Sequence, residues 1–173
     1  FCFCSQYLFP LTHYGDLSDK TVCVDTDAQV RNGIIYLPNE TEPFTGNNLC
    51  EYENGQFKSK GKVKDGIEVG KWTSWYENGQ IKSETNYKDG TLFSKTIYAY
   101  HKNGQIEVEA NFKDGKERDG KVTRWHENGQ IEVEINYKDG KLDGKVAEWF
   151  ETGQIKSEKH YKEGTLVSET IYA

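Results

Sequence analysis

The sequence predicts an all-β chain, folded as one elongated, single-layer antiparallel sheet of stacked β-hairpins with a small cysteine-containing N-terminal cap or arm. Three features carry that expectation: turn dipeptides return at a fixed period, side chains alternate between them, and aromatic residues are abundant while Pro is scarce. The 173 residues include 11 Tyr, 8 Phe and 4 Trp beside 17 Gly and 3 Pro, with hydrophobic residues at only 35%. No run reaches the roughly 18 apolar residues of a membrane-spanning helix. Net charge is -6, so the basic footprint of a nucleic-acid binder is missing.

Residues 1–30 are expected to form the cysteine-containing arm or cap. Residues 1–50 hold two basic residues (Lys20, Arg31) against six acidic ones, and all four cysteines: Cys2, Cys4, Cys23 and Cys50. Their spacing matches no zinc template. Disulfides are the better reading, which places the protein in an oxidising compartment: secreted, extracellular or periplasmic, and cytoplasmic only if the cysteines are reduced. A Cys2–Cys4 bridge would be strained, so each is expected to join Cys23, Cys50 or a cysteine of another chain. The opening FCFCSQYLF lacks a basic n-region and a small-x-small cleavage site, and reads as mature sequence.

Residues 31–50 read as a degenerate first hairpin, and an internal repeat fills 51–173, giving five units of which the last is incomplete. NGQ[FI] starts at Asn54, Asn78, Asn103 and Asn128 and returns as TGQI at Thr152, at spacings of 24, 25, 25 and 24. Asp-Gly keeps step at 65–66, 89–90, 114–115 and 139–140, then Glu-Gly at 163–164. Two hairpin turns per period lay down two strands. After each NGQ, Ile81, Ser83, Thr85 and Tyr87 fall on one side, and Lys82, Glu84 and Asn86 on a wet one. Before each NGQ, the aromatics make two columns: Trp75, Tyr100, Trp125 and Trp149, then Tyr76, His101, His126 and Phe150. Stacking would join them into continuous ladders, across about eleven or twelve strands and some 50 Å. Segments 89–99 and 163–173 nearly repeat each other, with Lys95 where other units carry Gly70, Gly120 or Gly144. A different turn and a change of sheet direction are expected there.

The recurring pattern of Trp, paired aromatics, NGQI, Tyr and KDGK resembles the MORN-variant repeat, found in proteins grouped as YwqK-type antitoxins. The resemblance covers 51–173, and more weakly 31–46. It implies stacked hairpins in one elongated sheet and a non-enzymatic role in binding or assembly, with no catalytic residue to carry over.

Candidate chemistry is sparse. His101 and His126 lie two strands apart, about 9–10 Å, too far to share a metal ion. The column Glu84, Glu109, Glu134 and Glu158 reads as a solvated row offset by Lys82, Lys138 and Lys156. No nucleophile is paired with a base at a recognisable spacing, so neither catalysis, a cofactor, a metal nor a small-molecule substrate is expected. The aromatic columns are sheet core or a binding stripe. Asn39, in Asn39-Glu40-Thr41, is a glycosylation acceptor in a eukaryotic source. Ile171 and Tyr172 form an open edge that invites another strand. The expected function is therefore protein–protein contact, with head-to-tail assembly into a filament through the N-terminal arm. The alternative is a monomeric module, an antitoxin or adaptor, that binds a specific partner. Membrane contact is disfavoured, because the position of Lys58, Lys82 and Lys156 becomes Glu107 and Glu132 in the middle repeats.

Overall fold

The computed structural model describes residues 20–113 and 119–172. Phe1 to Asp19, with Cys2 and Cys4, lie outside the described residues. The N-terminal part comprises β1 (Thr21–Val22), helix α1 (Val24–Asp27), β2 (Gln29–Arg31) and β3 (Ile34–Tyr36). The repeats supply β4 (Gly46–Glu51), β5 (Phe57–Lys64), β6 (Ile67–Trp75), β7 (Ile81–Lys88), β8 (Thr91–Tyr100), β9 (Ile106–Lys113), β10 (Gly120–Trp125) and β11 (Ile131–Lys138). They end with β12 (Lys141–Leu142), β13 (Gly144–Trp149), β14 (Ile155–Lys162) and β15 (Thr165–Ile171). β4 to β15 and β1 make a single sheet of 13 strands: β4 to β11 and β13 to β15 follow one another antiparallel, β12 pairs with β11 beside β13, and β1 is a parallel edge on β4. The β2–β3 hairpin forms a separate two-stranded sheet.

The two turn markers use different geometries. At Asp65-Gly66, Asp89-Gly90, Asp139-Gly140 and Glu163-Gly164 both residues have φ between 48° and 86°, the signature of a type I′ hairpin turn. At each NGQ only the glycine is left-handed. Gly55 N–H donates to the Tyr52 carbonyl (2.9 Å), Tyr52 N–H donates to the Gln56 carbonyl (2.8 Å), and the Asn54 side chain accepts from Gln56 N–H (2.9 Å). A type I turn closed by a glycine bulge has this form, and the bulge appears in the register between Cys50 and Glu51.

The absence of a glycine at Lys95 makes no separate turn. β8 runs unbroken, and one extra residue, Phe93, is squeezed out between the Asn86–Ser94 and Tyr87–Leu92 pairs. Val167 does the same in β15. The unit with Gly144 splits into β12 and β13 on either side of Asp143, while β6 runs through Gly70 unbroken. A bulge absorbs one residue without ending the ladder, which is why the expected change of direction is not needed.

The core sits at one end. Ile35, Phe44 and Val63 are buried together, with Val22, Val24, Ala28, Leu37 and Trp72 packed around them. There β2–β3 and α1 lie over the sheet as a second layer, tied down by Ile35 N–H to the Gly66 carbonyl (2.9 Å) and Gly66 N–H to the Phe44 carbonyl (2.7 Å). Trp72 lies so close over Gly61 that a Cβ added there would come within 2.1 Å of the indole. Its Nε1 donates to the Lys62 carbonyl (3.1 Å).

The disulfide joins Cys23 to Cys50, which corrects the expected bridges from Cys2 and Cys4 to these two and leaves the alternative, a bridge to another chain, untouched. β1 runs parallel to β4 and α1 turns back across it, so the chain itself carries Cys23 to Cys50.

Candidate functional site

The second aromatic column acts through its polar tips. Tyr52 Oη donates to the Trp75 carbonyl (2.8 Å) and Tyr76 Oη to the Tyr98 carbonyl (3.0 Å); His101 Nε2 donates to the Trp125 carbonyl (2.7 Å) and His126 Nε2 to the Trp149 carbonyl (3.0 Å). Tyr52, His101 and His126 reach the same backbone position of the following repeat, and Tyr76 reaches the carbonyl two residues before it, so Tyr and His are interchangeable as donors here. Phe150 has no donor, and 45% of its surface is exposed. The turns are linked in parallel: Asn54, Asn103 and Asn128 donate from their side-chain amides to the carbonyls of Glu77, Glu127 and Glu151 (2.7–2.9 Å). These inter-repeat clamps were not foreseen, although the NGQ period was the signal for them.

The first column is half-buried. Trp75, Tyr100, Trp125 and Trp149 pair across the bulge with Ile81, Ile106, Ile131 and Ile155. An isoleucine strand thus separates successive members, and the ladder is not continuous. Ring contacts among the described residues are two, Phe57–Trp75 at 5.9 Å and an edge-on Tyr76–Tyr100 pair at 6.3 Å. Burial raises the phenol pKa values of Tyr98 and Tyr100; Tyr87 rises further, through burial and a hydrogen bond to Glu68. At the end of the stripe an open hollow of about 410 Å³ is lined by His126, Val133, Trp149, Phe150 and the charged Glu132 and Lys156, among others.

The carboxylate row is partly covered rather than fully wet, and its partners differ from those expected. Lys71 pairs with Glu84, Lys121 with Glu134 and Lys145 with Glu158. Glu109 instead accepts from the Asn111 amide (2.8 Å). The lysines come from the adjoining strand, set by its register. Cys23, Cys50 and Asp25 bring ligand-type atoms within 4.8 Å of one another, but the disulfide engages both sulfurs.

Asn39 is exposed, with φ 65°, in a turn that Glu40 N–H closes onto the Leu37 carbonyl (3.1 Å). Ile171 is 74% exposed on β15. Tyr172 is engaged: its N–H donates to the Lys156 carbonyl and its hydroxyl to Glu158, both at 3.0 Å.

Four consecutive stretches, 68–89, 95–114, 118–139 and 142–163, match the family model described as the MORN repeat variant. The chain is a MORN-variant repeat protein. The match begins inside β6, leaving β4 and β5 outside the matched stretches. No curated protein matches the chain. MORN repeats are associated with modules that bind proteins or membranes. In this MORN-variant protein no helix among the described residues is long and apolar enough to cross a membrane.

Proposed function

We propose that the protein is a non-enzymatic binding module that holds another protein against its sheet, in an oxidising compartment. One row of directly paired residues carries this reading. It runs from Cys50 through Ser59, Ser74 and Ser83 to Ile97, Ala110, Val122 and Ile135, all on one face. The Cys50 end lies under α1. At the apolar end Ile97 is exposed and Ala110, Val122 and Ile135 are only partly buried. Apolar surface of this kind marks a contact site. The Cys23–Cys50 bridge supports the oxidising location.

A photo-crosslinking residue at Ile97 or Val122 is the test. The proposal expects adducts with a second protein, or a second copy, in the native source, and none from Lys102 in a turn. Adducts within the chain alone, with a mass of 19.9 kDa by light scattering under oxidising and reducing conditions, would overturn it. Adducts between copies, in species that shrink on reduction, would select assembly through Cys2 and Cys4 over a heterologous partner.

A further inference from the structure

The first repeat departs from the rest at two positions on one face. The fourth residue of the strand after the NGQ turn is Glu84, Glu109, Glu134 or Glu158 in the later repeats, and Lys60 in β5. The sixth is Asn86, Asn111, Asn136 or His160, and Lys62 in β5. Where β6 sets Lys71 opposite Asn86, β4 sets Asn47 opposite Lys62. The charge pairing of the later repeats is therefore not reproduced here. Among the described residues no carboxylate comes within ion-pair distance of Lys60 or Lys62.

Those two lysines border a groove of about 780 Å³, whose walls also include Leu49, Val69, Trp75 and Lys71, the last already paired with Glu84. Its shape comes from register: β6 inserts two extra residues around Gly70, between the Lys62–Val69 and Lys60–Thr73 pairs. Lys60 and Lys62, alternate residues of one strand, stand about 7 Å apart. Alternate side chains of any extended peptide share that spacing. Lysine stems lie along apolar walls and leave their ammonium groups facing outward. Around this patch the chain carries a net charge of -6, which disfavours long polyanions but not a short acidic segment.

We infer that the groove bounded by Lys60 and Lys62 binds an extended acidic peptide segment of a partner protein, with carboxylates at alternate positions meeting the two lysines. This rests on the protein-binding reading above and adds the partner's chemistry, on the face opposite the Cys50–Ile135 row.

The test is fluorescence anisotropy of the full-length protein with a labelled nine-residue peptide carrying Glu at alternate positions. Binding should weaken at least tenfold in Lys60→Glu/Lys62→Glu and when Gln replaces Glu in the peptide. The charge-matched Lys88→Glu/Lys102→Glu should leave it within twofold, and circular dichroism should show both variants folded. Equal loss in the two variants, no loss in either, or Lys60-dependent binding only to phosphatidylserine vesicles or a single-stranded oligonucleotide would overturn the inference. If the Val122 adduct persists in Lys60→Glu/Lys62→Glu while peptide binding never appears, the groove fails and the protein-binding reading stands. If the peptide binds but no adduct forms, the apolar row fails instead.

Discussion

At the N-terminal end of the sheet, β2–β3 and α1 lie over β4 to β6, a disulfide pins them, and β5 presents lysines. From β7 onward the same turns and strand lengths continue with a single layer and Glu–Lys pairs, while the inter-repeat clamps run through both regions from Tyr52 and Asn54 onward. The comparison shows that one repeat plan is stabilised in two ways. In the first region a small buried cluster and a covalent staple hold the sheet. In the second, each repeat is held by its neighbours, as in other linear arrays. The glutamate column is paired with lysines at Glu84, Glu134 and Glu158, whereas Lys60 takes its place in the first repeat and has no ion pair among the described residues.

The difference can be broken most strongly in the core. Phe44→Ala should cost about 3–5 kcal/mol in urea unfolding, because a buried ring leaves a cavity, whereas Val122→Ala on the open row should cost less than half as much. An equal cost would mean the second layer contributes nothing special. Next, Cys23→Ser/Cys50→Ser should remove about 3.5 kcal/mol, the magnitude for a closed loop of this length, since the cysteines are 27 residues apart. Gly61→Ala should cost about 1–3 kcal/mol by forcing Trp72 aside.

Smaller effects sharpen the second region. Tyr76→Phe removes one clamp and should cost about 0.5–1.5 kcal/mol; Lys121→Ala should cost under about 1 kcal/mol, since its pair with Glu134 is partly exposed. The smallest effect concerns pH. The Glu163 N–H, then Lys162, hold the Asp143 carboxyl below its ordinary pKa. A lowered folded pKa stabilises above the unfolded value and is lost as pH falls through the folded one. Asp143→Asn should therefore flatten the acid limb of stability below about pH 4, and an unchanged limb would remove Asp143 from the account.

Much of this was legible in the sequence, for identifiable reasons. NGQ and Asp-Gly repeat in step, and turn chemistry is local, so strand positions followed directly. Partners across strands were harder. The choice of Lys71 rather than Lys82 for Glu84 depends on register, which the bulge at Ser74–Trp75 helps to set. The pairing of Cys23 with Cys50 depends on the path of β1 and α1, two elements too short to show a period. The hydroxyl and imidazole clamps could have been inferred, because Tyr52, Tyr76, His101 and His126 share a donor and a period. Reading them as aromatic rings hid the donor. Lys60 stood in plain view as an exception to a column of glutamates, but its meaning required the groove beside it.

Hydrogen exchange by mass spectrometry on the full chain, oxidised and reduced, tests the central claim that the first repeats and the later ones are held differently. The account predicts the slowest exchange in β4 to β6 when oxidised. Reduction should speed β1 through β5 and leave β9 through β14 unchanged. Even protection along the sheet, or a uniform response to reduction, would contradict it.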